Sequence, residues 1–272
     1  MKNKLSYYLL AFFLVSSTAW AQTKETRNVD TFTKISFRVP GKLYLRQGSP
    51  QKVELEGKKD ILSRIETEVS GGKLIIGTEE KWFNWNWHND DEIIAYVTVQ
   101  NIDAISVSGS GDLIAQTKLT GDNFDLKVSG SGSVQAEIEL TGDMDADVSG
   151  SGGIDLKGKF RNYESSVSGS GKIELTATIS DRAEFGISGS GKIIAGGRAQ
   201  NVKTSISGSG SLRAANLEAD KCEVRISGSG DVQINVKNEL DANISGSGSV
   251  SYKGNPNHVN SNASGSGHIN KM

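Results

Sequence analysis

The most unusual segment of the sequence is rich in tryptophan and contains Trp82, Trp85, Trp87 and His88, followed by acidic and amide side chains. Indole rings pack against the apolar C–H faces of sugars, and the polar neighbours suit sugar hydroxyls. The same composition would suit a loop that covers the end of a larger structure, or one that contacts a membrane interface. We predict ligand binding at these four residues and keep both other roles open.

A second candidate site consists of carboxylates that recur along the chain. Asp125, Asp145, Glu164 and Glu184 are separated by 20, 19 and 20 residues. If residues at this interval stack, their carboxylates form a column with a spacing of about 4.8 Å, where like charges raise one another's pKa. Bound Ca²⁺, which prefers oxygen ligands, would relieve the repulsion. Solvent screening is the alternative, and Lys203 interrupts the column.

The composition argues against several kinds of catalysis. One cysteine and three histidines leave no zinc or thiol-protease arrangement. The recurring serines do not occur in the G-x-S-x-G motif of serine hydrolases. The carboxylates recur at a regular interval, whereas the acid–base pair of a glycosidase occurs once. We therefore predict no catalytic residue and no enzymatic activity.

These candidate sites depend on a repeat that sets the architecture. Ser-Gly-Ser-Gly occurs nine times, at intervals of 18 to 21 residues. Such a period is typical of solenoids, whose units bury their apolar sides only by stacking. The motifs begin at Ser108-Gly109, Ser129-Gly130, Ser149-Gly150, Ser168-Gly169, Ser188-Gly189, Ser207-Gly208, Ser227-Gly228, Ser245-Gly246 and Ser264-Gly265.

The flanks of each motif have the periodicity of β-strands. Eight of the nine residues that precede a motif are Val or Ile, which favour strands. Apolar residues alternate with polar ones on both sides, as in Leu126 and Val128 before a motif and Val134 and Ala136 after it. The sequence predicts an all-β parallel β-helix, or β-solenoid, of about 19 to 20 residues per coil. Each motif forms a bend, with its serines outside and its glycines inside.

The chain divides into three predicted segments. Residues 1–21 have the features of a signal peptide, with Lys2 and Lys4, an apolar run and an Ala19-Trp20-Ala21 cleavage site. Residues 22–105 form a β-rich N-terminal cap with irregular first coils and a helical turn from Asp60, its N-cap, to Ile65. Residues 106–272 form the repeat solenoid. Removal of residues 1–21 leaves 28 basic and 32 acidic residues, so nucleic acid is excluded as a partner.

The V/I-S-G-S-G repeats after a β-rich lead segment resemble the GIN domain family, described as an auto-transporter adhesin head and common in Bacteroidetes. The resemblance covers roughly residues 30 to 250. It implies a β-helix-like exported protein with no assigned chemistry, in the periplasm, at the outer-membrane surface or outside the cell. No later segment has the roughly 20 apolar residues of a membrane-spanning helix.

The functional prediction is an exported noncatalytic β-solenoid that serves as an adhesion, scaffolding or envelope-surface binding module. Its partners would be a glycan or a protein of the envelope or host surface. The alternative is a polysaccharide-active β-helix enzyme, a lyase or a hydrolase, because β-helices also host such activities.

Overall fold

A computed structural model describes residues 23–78 and 92–272, which form a β-solenoid of about eight turns with about 20 residues per turn. The predicted fold class is therefore confirmed. The predicted signal peptide lies outside the described residues, so export remains a prediction.

Nearly all regular structure consists of strands. The elements are β1 (Thr23–Arg27), β2 (Lys34–Phe37), β3 (Gly41–Gln47), β4 (Lys52–Gly57), α1 (Lys59–Leu62), β5 (Ile65–Ser70), β6 (Lys73–Thr78), β7 (Ile93–Val99), β8 (Ala104–Gly109), β9 (Asp112–Ala115), β10 (Leu119–Gly121), β11 (Phe124–Gly130), β12 (Ser133–Leu140), β13 (Asp143–Gly150), β14 (Gly153–Phe160), β15 (Asn162–Gly169), β16 (Lys172–Ile179), β17 (Arg182–Gly189), β18 (Lys192–Gly208), β19 (Ser211–Gly228), β20 (Asp231–Gly246), β21 (Ser249–Lys253), β22 (His258–Gly265) and β23 (His268–Lys271).

Each coil of the repeat region contributes one stretch of strand to each of two faces. The first face contains β8, β11, β13, β15, β17, the second halves of β18 to β20, and β22. The second face contains β9, β12, β14, β16, the first halves of β18 to β20, β21 and β23. All these pairs are parallel and keep equivalent repeat positions side by side, as in Ser129 with Ser149 and Ser149 with Ser168.

One continuous apolar core fills the space between the two faces. Its members are the alternate residues expected from the sequence, such as Leu126 and Val128 on β11 and Val134 on β12. Burial of an aliphatic side chain of this size stabilises a fold by about 1.5–3 kcal/mol. Since a coil buries its apolar side only against its neighbours, the stacking itself supplies this stabilisation.

The two glycines of each motif have different roles. The first, such as Gly130, has a φ of 114°, and a Cβ there would lie 2.5 Å from the carbonyl oxygen of Gly109. The second, such as Gly152, is buried, and a Cβ there would lie 2.7 Å from Cγ1 of Val128. The first glycine therefore supplies a backbone conformation that other residues rarely adopt, and only the second supplies room inside. The motif serines lie outside, as predicted.

The N-terminal coils do not stack in chain order. β2 lies between β6 and β8, and β3 lies between β7 and β9. The strands β6 and β7, which come later in the chain than β2 and β3, are therefore further from the repeats. Antiparallel strands complete this end: β5 pairs with β6, β4 with β7, and β1 with β4. These strands share the sheet and core of the repeats, and the division near residue 105 stays a prediction.

The predicted helical turn is present but begins earlier than expected. Helix α1 has Lys58 as its N-cap, without a side-chain capping hydrogen bond, and Asp60 lies in its first turn. Ile61 and Leu62 are buried in the core, which explains why the turn forms at this place despite its weak cap.

The C-terminal end has a different construction. All eight residues of β22 are exposed, and Val259 has 44% of its surface accessible. Ser261 and Ala263 occupy the inward positions that Ala242 and Ile244 hold one coil earlier. Small and polar inward residues reduce the apolar surface that the last coil leaves in contact with water.

Candidate functional site

The predicted ligand-binding residues Trp82, Trp85, Trp87 and His88 lie outside the described residues. Ligand binding by this segment therefore stays a prediction. The structure describes its flanks, where Thr78 ends β6 and Ile93 begins β7. Next to the second flank, Glu92 forms an ion pair of 2.8 Å with Lys42 on β3.

The predicted carboxylate column is formed on the outside of the first face. Asp125 pairs with Asp145, Asp145 with Glu164, and Glu164 with Glu184. Burial, followed by the charges of Asp125 and Glu164, raises the pKa of Asp145. At Asp145, the charges of the stacked neighbours therefore act in the expected direction, in addition to the larger effect of burial.

Basic side chains partly neutralise the C-terminal end of this column, at Glu184. The ammonium group of Lys203 lies 3.0 Å from Glu184, and a guanidinium nitrogen of Arg182 lies 4.0 Å from the same residue. Within residues 23–78 and 92–272, no three acidic, histidine or cysteine side chains converge in a way that could hold a metal ion. Calcium binding by the four carboxylates stays a prediction.

Beside the Glu184 end of the column, the first face carries a shallow groove of about 540 Å³, lined in part by Lys203, Lys221, Glu223 and Arg225. Its charges are paired, with Lys221 at 2.9 Å from Glu239 and Arg225 at 2.6 Å from Glu223. The free thiol of Cys222 borders this groove, and burial raises its pKa to about 12. A thiol that stays protonated is a poor nucleophile.

An aromatic site that the sequence analysis missed lies on the outside of the second face, near its N-terminal end. We call it the tyrosine patch, and it consists of Lys24, Tyr44, Arg46, Glu54, Tyr96 and Gln116 around a cavity of about 270 Å³. The rings of Tyr44 and Tyr96 are 5.6 Å apart and inclined by 22°. The ammonium group of Lys24 lies 4.2 Å from the centroid of Tyr96, a cation–π contact.

Five strands of the N-terminal end build this patch. Tyr44 on β3 lies beside Tyr96 on β7 and Ile114 on β9, and Glu54 on β4 lies on the other side of Tyr96. Lys24 on β1 forms an ion pair of 3.4 Å with Glu54, which also contacts Lys52 at 2.8 Å. The patch therefore depends on the antiparallel strands that complete the stack.

Polar contacts fix the orientation of the patch side chains. The Nε–H of Arg46 donates a hydrogen bond of 2.6 Å to Oε1 of Gln116. Burial raises the pKa of Tyr96, and the charge of Glu56 and a hydrogen bond with it raise the pKa further. Hydrogen bonding to Lys52 lowers the pKa of Glu54, so Glu54 is ionised at neutral pH.

The fold and these outer surfaces define a parallel β-solenoid with charged and aromatic side chains on the outside of its faces. The chain belongs to the family described as "Putative auto-transporter adhesin, head GIN domain", which matches residues 31–195 and 176–256. The resemblance that the repeats indicated is thereby confirmed.

Several solved structures have the same fold. A "putative lipid binding protein" from Parabacteroides distasonis has 24% identity and a TM-score of 0.69, with 93% of this chain and 97% of that chain covered. A "putative adhesin" from Parabacteroides merdae has 20% identity and a TM-score of 0.68 over 93% and 96% of the two chains. A second "putative adhesin" from P. distasonis has 21% identity and a TM-score of 0.67 over 93% and 98%.

The curated proteins contain no match to this chain. In the two ranges that the structure describes, no helix has the length and hydropathy needed to cross a membrane.

Proposed function

We propose that this protein is an exported, noncatalytic module of the cell envelope that binds surface polymers through the outside of its two faces. The observation that carries the proposal is the in-register stack, in which equivalent outward residues of successive coils are direct neighbours. Neighbouring residues within such a column are about 4.8 Å apart. A rigid surface of this kind offers a chain-like ligand many similar weak contacts, whose sum exceeds each of them.

Two further observations support the proposal. The family to which the chain belongs carries the description of an adhesin. The two faces also present ionic side chains that are paired yet exposed, as in Lys118 with Glu137 and Glu139 at 3.1 and 3.0 Å. Paired charges of this type are easily rearranged, because an exposed ion pair contributes only about 0–1 kcal/mol to stability.

The test combines retention and turnover. The mature chain, starting at Gln22, is incubated with immobilised acidic and neutral polysaccharides, and both bound protein and newly formed reducing or unsaturated ends are measured. We expect retention without new ends. New sugar ends would instead support the polysaccharide-active enzyme, and the absence of retention on all of the polymers would contradict the proposal.

The same assay tests the tryptophan-rich segment. Replacement of Trp85 and Trp87 by alanine is expected to reduce retention if their rings contact the polymer. Cell fractionation with an antibody against the mature chain tests export, and a purely cytoplasmic protein would contradict it.

A further inference from the structure

Among the residues that the structure describes, the tyrosine patch is an aromatic surface on the outside of the second face. On the second face, the outward row that contains Tyr44 and Tyr96 has no further aromatic residue up to β20 among the described strands: it continues through Ile114, Gln135, Asp155, Glu174, Ile194, Arg213 and Gln233. Two half-buried tyrosines on neighbouring strands therefore form a local aromatic surface beside a cavity. Aromatic side chains with hydrogen-bonding neighbours are frequent in binding sites because one part is apolar and another is polar.

We propose that the tyrosine patch binds an acidic sugar of a surface polysaccharide, with the solvent-facing edges of the Tyr44 and Tyr96 rings against the sugar and Arg46 on its carboxylate. The inference rests on the proposed function and specifies its ligand class and its site. Its residues are distant in sequence: Lys24, Tyr44, Arg46, Glu54 and Tyr96 precede the repeats, and Gln116 follows the first motif.

The charges around the patch favour an anionic ligand. Lys24, Arg46 and Lys52 are cationic, whereas the carboxylates beside them are Glu54 and Glu56. These five residues carry one excess positive charge, although the whole chain has a formal net charge of −2. The patch is thus locally complementary to a uronic acid.

Arg46 has the geometry of a carboxylate receptor. Its Nε–H is held by Gln116, and among the residues that the structure describes its terminal guanidinium nitrogens have no hydrogen-bond partner. In contrast, Lys24 and Lys52 both contact Glu54. A planar guanidinium with two free N–H groups can bind a carboxylate through two parallel hydrogen bonds.

The size and rigidity of the site suit one residue of a longer sugar chain. A cavity of about 270 Å³ lies just below the usual range of small-molecule sites, which begins at about 300 Å³, and so suits a single sugar residue. The tyrosines are packed against one another and lie on strands in the middle of a sheet, so little side-chain freedom is lost on binding. Because the site lies on the outer surface, the polymer can continue from the bound sugar in both directions.

The experiment is calorimetric titration of the mature chain with trigalacturonate, and with a neutral galactose trimer of the same length. Arg46→Ala is expected to weaken trigalacturonate binding by about ten- to a hundredfold, since a hydrogen-bonded charge is lost. The neutral trimer should bind the wild type more weakly than the acidic one. Added salt should reduce the difference.

The matched control is Arg213→Ala. Arg213 is an exposed arginine in the same outward row of the second face, several coils away. Its removal is expected to leave binding unchanged. Tyr44→Leu should weaken both trimers because it removes the ring, whereas Tyr44→Phe should preserve binding. Melting curves establish that each variant is folded. If a tyrosine variant does not fold, the comparison of Arg46→Ala with Arg213→Ala alone tests the inference.

Two results would overturn the inference. Equal effects of Arg46→Ala and Arg213→Ala, or equal binding of the acidic and neutral trimers, would show that the patch does not recognise the carboxylate. If the wild type is retained on polysaccharide in the pull-down assay while Arg46→Ala is retained equally, only this inference fails. If the wild type binds neither the polymers nor the trimers, the proposed function fails as well.

Discussion

The replacement of Gly191 by alanine tests the packing of the solenoid corners most directly. Gly191 is the second glycine of its motif, and it is buried with an ordinary φ, so the effect of a Cβ is purely steric. That Cβ would lie 2.4 Å from Cγ1 of Val167 and 3.0 Å from the carbonyl oxygen of Gly171. Carbon atoms in contact are normally about 3.5–4.0 Å apart, so either the side chain or the coil must move.

We expect Gly191→Ala to destabilise the fold by about 2 kcal/mol, the middle of the usual range for overpacked cores. For a chain of this size, the melting temperature should fall by about 4–8 °C. The matched control is Gly186→Ala on the neighbouring strand, where the nearest atoms lie at 3.5 and 3.7 Å. This change should be neutral or slightly stabilising, because glycine is unfavourable within a strand.

A double variant identifies the cause. Val167→Ala removes the methyl group that the new Cβ would meet, although it also leaves a small cavity. In the Val167→Ala background, Gly191→Ala should therefore cost at least about 1 kcal/mol less than in the wild type, which is a measurable coupling. Thermal melts followed by circular dichroism provide the values. A Gly191→Ala variant as stable as the wild type, or an additive double variant, would refute the steric explanation.

Four further predictions concern buried and stacked polar groups. Burial and neighbouring carboxylates raise the pKa of Asp145 above its usual 3.8, so the ionised form of Asp145 opposes folding. The melting temperature of Asp145→Asn should therefore be higher than that of the wild type at pH 7, and the two should be equal below about pH 3.8. A melt that is unchanged by Ca²⁺ and by chelator would end the calcium hypothesis. The hydroxyl of Thr204, with 1% exposure, has no hydrogen-bond partner in the described part of the chain. Thr204→Val should therefore stabilise the fold by about 1 kcal/mol, whereas Thr176→Val, at an exposed position, should not. The thiol of Cys222, with a pKa of about 12, should resist iodoacetamide at pH 8 in the native protein and react only in denaturant; rapid native labelling would contradict its burial.

The sequence was sufficient for the repeat region because its long-range contacts follow from a local pattern. In a solenoid, the neighbour of a residue is the equivalent residue one coil away, so the repeat interval gives the pairing directly. This is why Asp125 and Asp145 could be placed side by side from their spacing alone, and the ladders confirm the placement. The alternation of apolar residues identified the core in the same way.

The N-terminal end could not be predicted in this detail. No repeated motif marks the position of β2 between β6 and β8, so neither the order of these strands nor the contact between Tyr44 and Tyr96 follows from the sequence. Tyr44 alternates with Leu43 and Leu45, but nothing in the sequence identifies its neighbour on the next strand. Likewise, the burial of Ile61 and Leu62 fixed α1 more strongly than a cap at Asp60 would have done.

The unequal ends of the stack have a consequence for the growth of such proteins. Mixed antiparallel strands close the N-terminal end, and the tyrosine patch is built there, whereas the C-terminal end finishes on an exposed coil. Duplication of one unit of about 20 residues near the C terminus would lengthen the rod by about 4.8 Å and leave the patch untouched. The length of the solenoid can therefore change by gene duplication while the tyrosine patch stays as it is.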